Sequence, residues 1–219
     1  MATFVLVHGA WRGSWCWKRV RRALQQQGHE VFTPTLTGLG ERSHLLSETL
    51  DLQTHTLDVL NLIQWEELND FVLCGHSYGG MVISGVADRV PERIRSLAFL
   101  DAFVPEHGES VGDFAPISGG GLIDGWKSAP ISAEAFGVNL ADRAWVDRQC
   151  TVHRSPASNN PCNSQVASHA SSTFLMCTPP AGLAMSLRSI VSMRRPNRAV
   201  GRPARSTVAT MSCSTKPMH

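Results

Sequence analysis

The chain has 219 residues, of which 42% are hydrophobic and 17% charged, which suits one packed domain and excludes a globally disordered chain. No apolar run approaches the roughly 18 residues of a membrane helix, and no signal-peptide pattern opens the sequence, so we expect no membrane partner. The six cysteines show no C-x-x-C spacing, which favours reduced thiols in the cytoplasm over a disulfide framework or a metal site.

The net charge of +2 is divided unevenly along the chain. All 18 acidic residues lie within residues 1–152, whereas residues 153–219 contain eight basic residues and no acidic one. A basic tail can bind nucleic acid or a membrane surface. Here the basic residues are scattered and Phe174 is the single aromatic residue among them, so we expect no nucleic-acid partner. The two parts of the chain need separate explanations.

The first 105 residues alternate predicted strands with predicted helices. Short β-branched and aromatic runs predict strands at Phe4–Val7, Val31–Phe32, Phe71–Cys74 and Ser96–Leu100. Apolar residues at helical spacing predict helices at Ser14–Gln27, with Ser14 as its N-cap and Gly28 past its end, at Leu52–Leu68 and at Tyr78–Val90. Such alternation predicts an α/β fold, a mostly parallel sheet with helices on both faces.

A glycine-rich turn links the third predicted strand to the third predicted helix. Its sequence from Gly75 to Gly79 matches the pattern G-x-S-x-G, with Ser77 at the centre. A nucleophile elbow occupies this position, because the glycines permit a sharp turn and the helix N-terminus favours developing negative charge. We interpret Ser77 as a catalytic nucleophile; the alternative is an ordinary strand–helix turn.

A serine nucleophile needs backbone N–H donors for the oxyanion that forms during acyl transfer. One donor belongs to the residue after the nucleophile, here Tyr78, and another comes from a loop after a neighbouring strand. The segment His8–Trp11 follows the first predicted strand, and Ala10 is its best candidate. We therefore predict an oxyanion hole at Ala10 and Tyr78.

Four segments of the first 152 residues resemble the α/β-hydrolase family. The similarity is to bacterial esterases near the plant methylesterases and hydroxynitrile lyases, a group that includes salicylate-ester and carbamate esterases. The segments are Phe4–Trp11, Thr33–His44, Cys74–Met81 and Leu100–Pro105. The resemblance implies an α/β-hydrolase fold with a small cap, a small-molecule ester as substrate, and no cofactor or metal.

The resemblance also implies a division of the chain. Residues 1–105 are expected to form the hydrolase core, residues 106–152 the cap, and residues 153–219 a basic tail where relatives complete the core. We expect the strands of this tail to be lost or irregular. Candidates for the substrate pocket are His8, Trp11, His76 and Trp126.

We assign the catalytic acid to Asp101, at the end of the fourth predicted strand. Some family members use this position, and others place the acid one strand later, where this tail offers no acidic residue. An aspartate that caps the following turn is the structural alternative.

The expected order of catalytic residues places a histidine after the acid, near the C-terminus. His107 lies too near Asp101 in sequence to return over the serine. His153 and His169 belong to the unusual tail, and His219 is the last residue. None is a convincing base, so we expect the chain as written to hydrolyse esters at most marginally.

A shifted reading frame offers an explanation for the missing histidine. With synonymous codons allowed, the frame that begins at the third base of each codon permits Pro-Leu-Ala-Cys-Phe-Gln-Gln-Pro-Leu across the start of residues 153–166. The same frame permits His-Asp-Val-Met across residues 209–218, similar to the segment that holds the catalytic histidine of relatives. We hypothesise a one-base frameshift just after the His153 codon; the alternative is a divergent basic tail.

The leading prediction is thus a cofactor-free serine esterase scaffold acting on small-molecule esters. A hydroxynitrile lyase, which cleaves a C–C bond with a similar triad, stays open, although such relatives place a lysine late in the chain and this tail has only Lys216. A catalytically inactive remnant of a hydrolase also stays open.

Overall fold

A computed structural model of the protein describes residues 1–105, 108–110 and 121–155 and the backbone of residues 173–177. Within this part of the chain the strands, in order, are β1 (Thr3–Val7), β2 (Glu30–Phe32), β3 (Phe71–Ser77), β4 (Ile94–Ala102), β5 (Leu122–Ile123), β6 (Lys127–Ser128), β7 (His153–Arg154) and β8 (Thr173–Cys177). The α-helices are α1 (Lys18–Gln26), α2 (Leu52–Trp65), α3 (Gly79–Ala87) and α4 (Leu140–Gln149). None of these helices is long and apolar enough to cross a membrane.

Five strands form a parallel sheet in the order β2-β1-β3-β4-β8. Alternate residues of a strand point to opposite faces, and both faces of β1 are covered. Val5 and Val7 lie in one apolar cluster with residues of α2 and α3. Leu6 lies in a second cluster with Trp17, which Leu24 of α1 borders. The predicted parallel sheet with helices on both faces is confirmed.

The start of the first helix differs from its prediction. Ser14–Trp17 forms a 3-10 turn, α1 begins at Lys18, and Gly13 occupies the N-cap position without a side-chain hydrogen bond. The predicted cap at Ser14 is therefore wrong. The backbone N–H of Ser14 instead donates to Oγ1 of Thr35 at 2.8 Å, and this bond connects the turn to the loop after β2.

The central strands run further than predicted. β3 continues from Cys74 through Ser77, and β4 continues from Leu100 to Ala102, because the two strands stay paired to their carboxyl ends. Both candidate catalytic residues, Ser77 and Asp101, therefore lie at the carboxyl ends of the strands, where parallel α/β folds place their sites.

Two small features lie outside the predicted core. Strands β5, β6 and β7 form an antiparallel sheet, so His153 and Arg154, the first residues of the tail, pair with Ser128 and Lys127. In the tail itself, where we expected strands to be lost or irregular, Thr173–Cys177 pairs in parallel with β4. Its β-branched, aromatic and apolar residues are of the types that favour a strand.

Candidate active site

Ser77 lies at a sharp junction between β3 and α3. Its φ of 52° falls in the left-handed region, which non-glycine residues rarely adopt and which often marks functional sites. Tyr78 occupies the N-cap position of α3, and its carbonyl accepts the N–H of Met81 at 3.0 Å. The backbone therefore forms the strand–turn–helix that the G-x-S-x-G pattern requires.

The glycines of this turn lie where no side chain fits. A Cβ built on Gly75 would meet the carbonyl oxygen of Gly79 at 2.6 Å, and one built on Gly79 would meet that of Val7 at 2.7 Å. Gly80, which the sequence pattern does not include, is closer still, at 2.1 Å from the carbonyl oxygen of Phe103. Helix and strands thus pack backbone against backbone around Ser77.

The loop after β1 lies directly against the serine. A Cβ built on Gly9 would be 3.0 Å from Cβ of Ser77 and 3.1 Å from Nδ1 of His76. This contact places the segment that contains Ala10 alongside Ser77. Tyr78 is the next residue after Ser77 in the chain. Both candidates for the oxyanion donors therefore belong to segments that border Ser77.

His8 supports this loop from inside the protein. The side chain is fully buried, its Nδ1–H donates to the carbonyl of Gly9 at 2.8 Å, and its Nε2 accepts the N–H of Leu36 at 3.0 Å. Desolvation lowers its pKa to about 4, so the ring is neutral at pH 7. With both ring nitrogens engaged, His8 holds the loop in place and has no nitrogen to offer a ligand.

The other pocket candidates separate in space. The ring of His76 meets Trp17 edge-on at 6.4 Å, on the α1 side of the sheet, and desolvation lowers its pKa to about 4. Trp11 is buried beside Phe136, at 6.1 Å between ring centres, and its Nε1–H donates to the carbonyl of Ser128 at 3.1 Å. Trp11 thus joins the loop after β1 to strand β6 and to Phe136.

Trp126 lies on the turn between β5 and β6. The ammonium of Lys127 is 4.8 Å from the centre of its ring, within the range of a cation–π contact. Its carbonyl accepts the N–H of Ser155 at 2.6 Å. These contacts hold Trp126 within the small sheet.

Asp101 occupies a bulge beside Ser77. Leu100 pairs with His76 and Ala102 pairs with Ser77, so Asp101 is the extra residue, with a φ of 44°. Partial burial raises the pKa of its carboxyl group. Among the described residues no histidine is hydrogen-bonded to this carboxyl group.

A buried hydrogen-bond chain fixes the ring of Tyr78. Its hydroxyl donates to Nδ1 of His55 at 2.8 Å, and Nε2–H of His55 donates to the carbonyl of Thr37 at 3.0 Å. Thr37 is in turn held by Asp58 of α2, which accepts both its N–H and its hydroxyl at 2.7 Å. His55 was not among the predicted site residues; its one signal in the sequence is a polar side chain on the apolar face of a predicted helix.

His153 is a second histidine whose position the sequence did not reveal. It is 4% exposed, and its ring packs edge-on against Tyr78 at 5.1 Å, His55 at 5.8 Å and Trp11 at 6.4 Å. Its Nδ1–H donates to the carbonyl of Arg154, whereas its Nε2 is buried with no hydrogen-bond partner among the described residues. Desolvation lowers its pKa to about 3. The similarity of Cys150–His153 to relatives was the signal available.

Several predictions concern positions outside the described residues. His107, His169, His219 and Lys216 are among them, as are residues 156–172 and 178–219 of the segment expected to carry a frameshift. Within the described residues, no group of three or more His, Cys, Asp or Glu side chains is placed to hold a metal ion. The three described cysteines, Cys16, Cys74 and Cys150, are not in disulfide bonds.

Comparisons with known proteins identify a family and two similar proteins. A model of the alpha/beta hydrolase family matches residues 4–209. The carbendazim hydrolyzing esterase of Nocardioides sp. (strain SG-4G) is 50% identical over 165 residues, with 68% of each chain covered. Salicylic acid-binding protein 2 of Nicotiana tabacum is 34% identical over 104 residues, which cover 47% of this chain and 40% of that protein.

A solved structure agrees with these sequence matches. It is an extracellular alpha/beta-hydrolase from a Paenibacillus species, described as sharing structural and functional homology with tobacco salicylic acid-binding protein 2. It is 28% identical, covers 81% of this chain and 78% of its own, and superposes with a TM-score of 0.69. The likeness thus extends over four fifths of the chain.

Proposed function

Because this chain belongs to the α/β-hydrolase family, we propose that it is a serine hydrolase that cleaves carboxylic or carbamate esters of small molecules. The observation that carries the proposal is the conformation of Ser77. This serine has a φ of 52° at the strand–helix junction and lies against the loop of Gly9. In a nucleophile elbow this strained conformation presents the serine hydroxyl to the substrate. An ordinary strand–helix turn gives no reason for such strain at a serine.

The chemistry follows from the groups around the serine. In the proposed reaction Oγ of Ser77 attacks the carbonyl carbon of the ester while a histidine takes the hydroxyl proton. The backbone N–H groups of Ala10 and Tyr78 stabilise the oxyanion. The tetrahedral intermediate expels the alcohol, which receives the proton, and leaves an acyl-enzyme. A water molecule, deprotonated by the same histidine, then releases the acid and restores the serine.

We assign the acid of the triad to Asp101. Its carboxyl group lies in the bulge next to the register partner of Ser77 and is partly shielded from water. A carboxylate in such a place can orient a histidine and stabilise its protonated form. No histidine among the described residues is hydrogen-bonded to Asp101, which agrees with the proposal that the base belongs to the shifted frame of the tail.

The substrate class is proposed from the relatives. One relative carries the name of an esterase that hydrolyses carbendazim, and another is named for binding salicylic acid. Small aromatic esters and carbamates are therefore the substrates to examine first. We also propose that the protein acts in the cytoplasm, since the described cysteines are not in disulfide bonds.

Two steps test the proposal. Codons 150–219 of the gene should encode Gln-Gln-Pro and His-Asp-Val-Met segments in the shifted frame, and a stop codon within either segment would contradict the frameshift. The chain as written and the frame-restored protein are then assayed side by side with p-nitrophenyl acetate. We expect the restored protein to turn over the ester and the chain as written to stay near background.

The serine is tested in the restored protein with a matched control. Ser77→Ala should lower turnover by about 10⁴- to 10⁶-fold, because the nucleophile is lost while the oxyanion donors remain. Ser43→Ala, at an exposed serine in the loop after β2, should leave turnover unchanged. Full activity of the Ser77→Ala protein would rule out Ser77 as the nucleophile.

A further inference from the structure

Three neighbouring buried histidines differ in how their ring nitrogens are used. His8 and His55 each have both nitrogens in hydrogen bonds. In His153 only Nδ1 is bonded, and Nε2 is shielded from solvent with no hydrogen-bond partner among the described residues. A buried polar atom without a partner is unfavourable in the folded protein and calls for an explanation.

The hydrogen bond made by Nδ1 of His153 determines whether Nε2 is a donor or an acceptor. Nδ1 lies against the carbonyl of Arg154, which can only accept, so Nδ1 carries the proton. The ring is neutral at pH 7, and its Nε2 therefore presents a lone pair. A partner for this atom must be a donor, an N–H or an O–H group.

The place of the ring relates this lone pair to the candidate site. The ring contacts Tyr78, the residue that follows Ser77, at 5.1 Å and Trp11, the residue that follows Ala10, at 6.4 Å. The ring of His153 therefore packs against side chains of both segments that carry the proposed oxyanion donors.

We propose that His153 is a specificity-determining residue, whose Nε2 accepts a hydrogen bond from an N–H or O–H group carried next to the ester carbonyl of the substrate. The inference rests on the proposed function and names a substrate class for it. Carbamates with an N–H group and aromatic esters with an adjacent hydroxyl have this donor. Simple alkyl and aryl esters lack it and leave the acceptor unpaired, which a buried polar site discriminates against.

Entry of such a ligand involves the small sheet. His153 lies on β7, a strand of two residues that pairs with the equally short β6. Because Nε2 is shielded in this structure, the ligand reaches it by displacing part of this sheet or the side chains that cover it. Binding of a donor ligand should therefore also change the environment of Trp11, which is joined to β6 through the carbonyl of Ser128.

The test measures binding, so that it does not depend on turnover. The full-length Ser77→Ala protein is titrated with methyl N-phenylcarbamate and with its N-methyl analogue, which lacks the N–H. We expect at least a tenfold tighter Kd for the N–H ligand. In a background that also carries His153→Phe, which keeps an aromatic ring without the acceptor, the ratio of the two Kd values should fall to about a third or less of its former value. His153→Gln, which offers an acceptor oxygen, should restore part of the preference.

A spectroscopic readout separates a direct contact from a structural role. The ¹⁵N resonance of Nε2 of His153 should move upfield on addition of the N–H ligand and stay in place with the N-methyl ligand. Equal Kd values with an unmoved resonance would overturn the inference and leave the ester function intact. Binding of neither ligand would also overturn it. The p-nitrophenyl acetate assay of the restored protein judges the ester function separately.

Discussion

The glycine-rich turn around Ser77 and the small sheet β5-β6-β7 both border Tyr78, but different contacts hold them. In the turn, backbone packs on backbone, so that a Cβ on Gly75 would lie 2.6 Å from the carbonyl oxygen of Gly79. The small sheet has three strands of two residues, and Leu122 on its β5 strand is 59% exposed. It is joined to the loop after β1 by single hydrogen bonds, such as that from Trp11 to Ser128 at 3.1 Å.

This difference indicates a division of labour. The turn that presents Ser77 is determined by close backbone packing, which leaves little freedom for substitution. The small sheet depends on a few side-chain contacts between residues far apart in sequence, so its surface can change while the turn stays the same. We expect the reaction chemistry to depend on the first region and substrate choice to depend on the second.

The largest effect on turnover should come from replacing Asp101, and the same replacement at an aspartate of the small sheet serves as its control. Asp101→Asn in the frame-restored protein should lower turnover by about 10⁴-fold, because an amide cannot stabilise the protonated histidine. Asp124→Asn is the matched control, since Asp124 also has a positive φ, of 54°, and lies in the turn between β5 and β6. Esterase assays of both variants measure the contrast. A small effect of Asp101→Asn on turnover would show that Asp101 is not the catalytic acid.

Glycine substitutions should separate the regions by stability. Gly75→Ala should cost more than about 3 kcal/mol or prevent folding, because the new Cβ meets backbone atoms that cannot move aside. Urea unfolding, or the yield of soluble protein, measures the effect. A variant with unchanged stability would show that the turn packs less closely than the structure has it.

Acid should lower the free energy of unfolding of the protein through its buried histidines, His8 and His153. His8 has its pKa lowered to about 4 and His153 to about 3, whereas the unfolded chain takes up protons near the ordinary value of 6.5. Stability is therefore complete above about pH 6.5 and falls as the pH decreases, by about 2 kcal/mol for each histidine at pH 5. Urea unfolding between pH 7 and pH 5 measures this loss.

A variant assigns part of the acid effect to the small sheet. His153→Phe should remove the contribution of one histidine from the pH dependence, since phenylalanine takes up no proton. The free energy of unfolding of this variant should fall less steeply with pH than that of the unchanged protein. An identical slope would show that His153 is not buried in its neutral form.

The smallest effect is expected in the turn between β5 and β6. Gly125 has a φ of 77°, and no atom lies within 4 Å of a Cβ built on it. Gly125→Ala should therefore cost only the backbone strain, about 1–2 kcal/mol, with no loss of the fold. Urea unfolding of this variant beside Gly75→Ala compares the same substitution in the two regions. Equal costs would contradict the difference in packing.

The same division explains what the sequence could predict. The strand–turn–helix at Ser77 has a local signature, because its glycines and apolar runs are neighbours in the chain. The contacts of His55 and His153 with Tyr78 join residues 23 or more positions apart, and no local pattern specifies them. The predicted cap at Ser14 was wrong because this residue begins a 3-10 turn and α1 starts only at Lys18. The backbone N–H of Ser14 donates to Thr35, a partner from another loop that no local pattern specifies.

The central claim is that Ser77 forms an acyl-enzyme. A slowly hydrolysed aryl carbamate, added to the frame-restored protein and quenched within seconds, should leave the acyl group covalently attached. Mass spectrometry of the digested protein should find the added acyl mass on the peptide that contains Ser77 and on no peptide of the Ser77→Ala protein. Acylation of a different residue, or persistence of the label in the Ser77→Ala protein, would contradict the account.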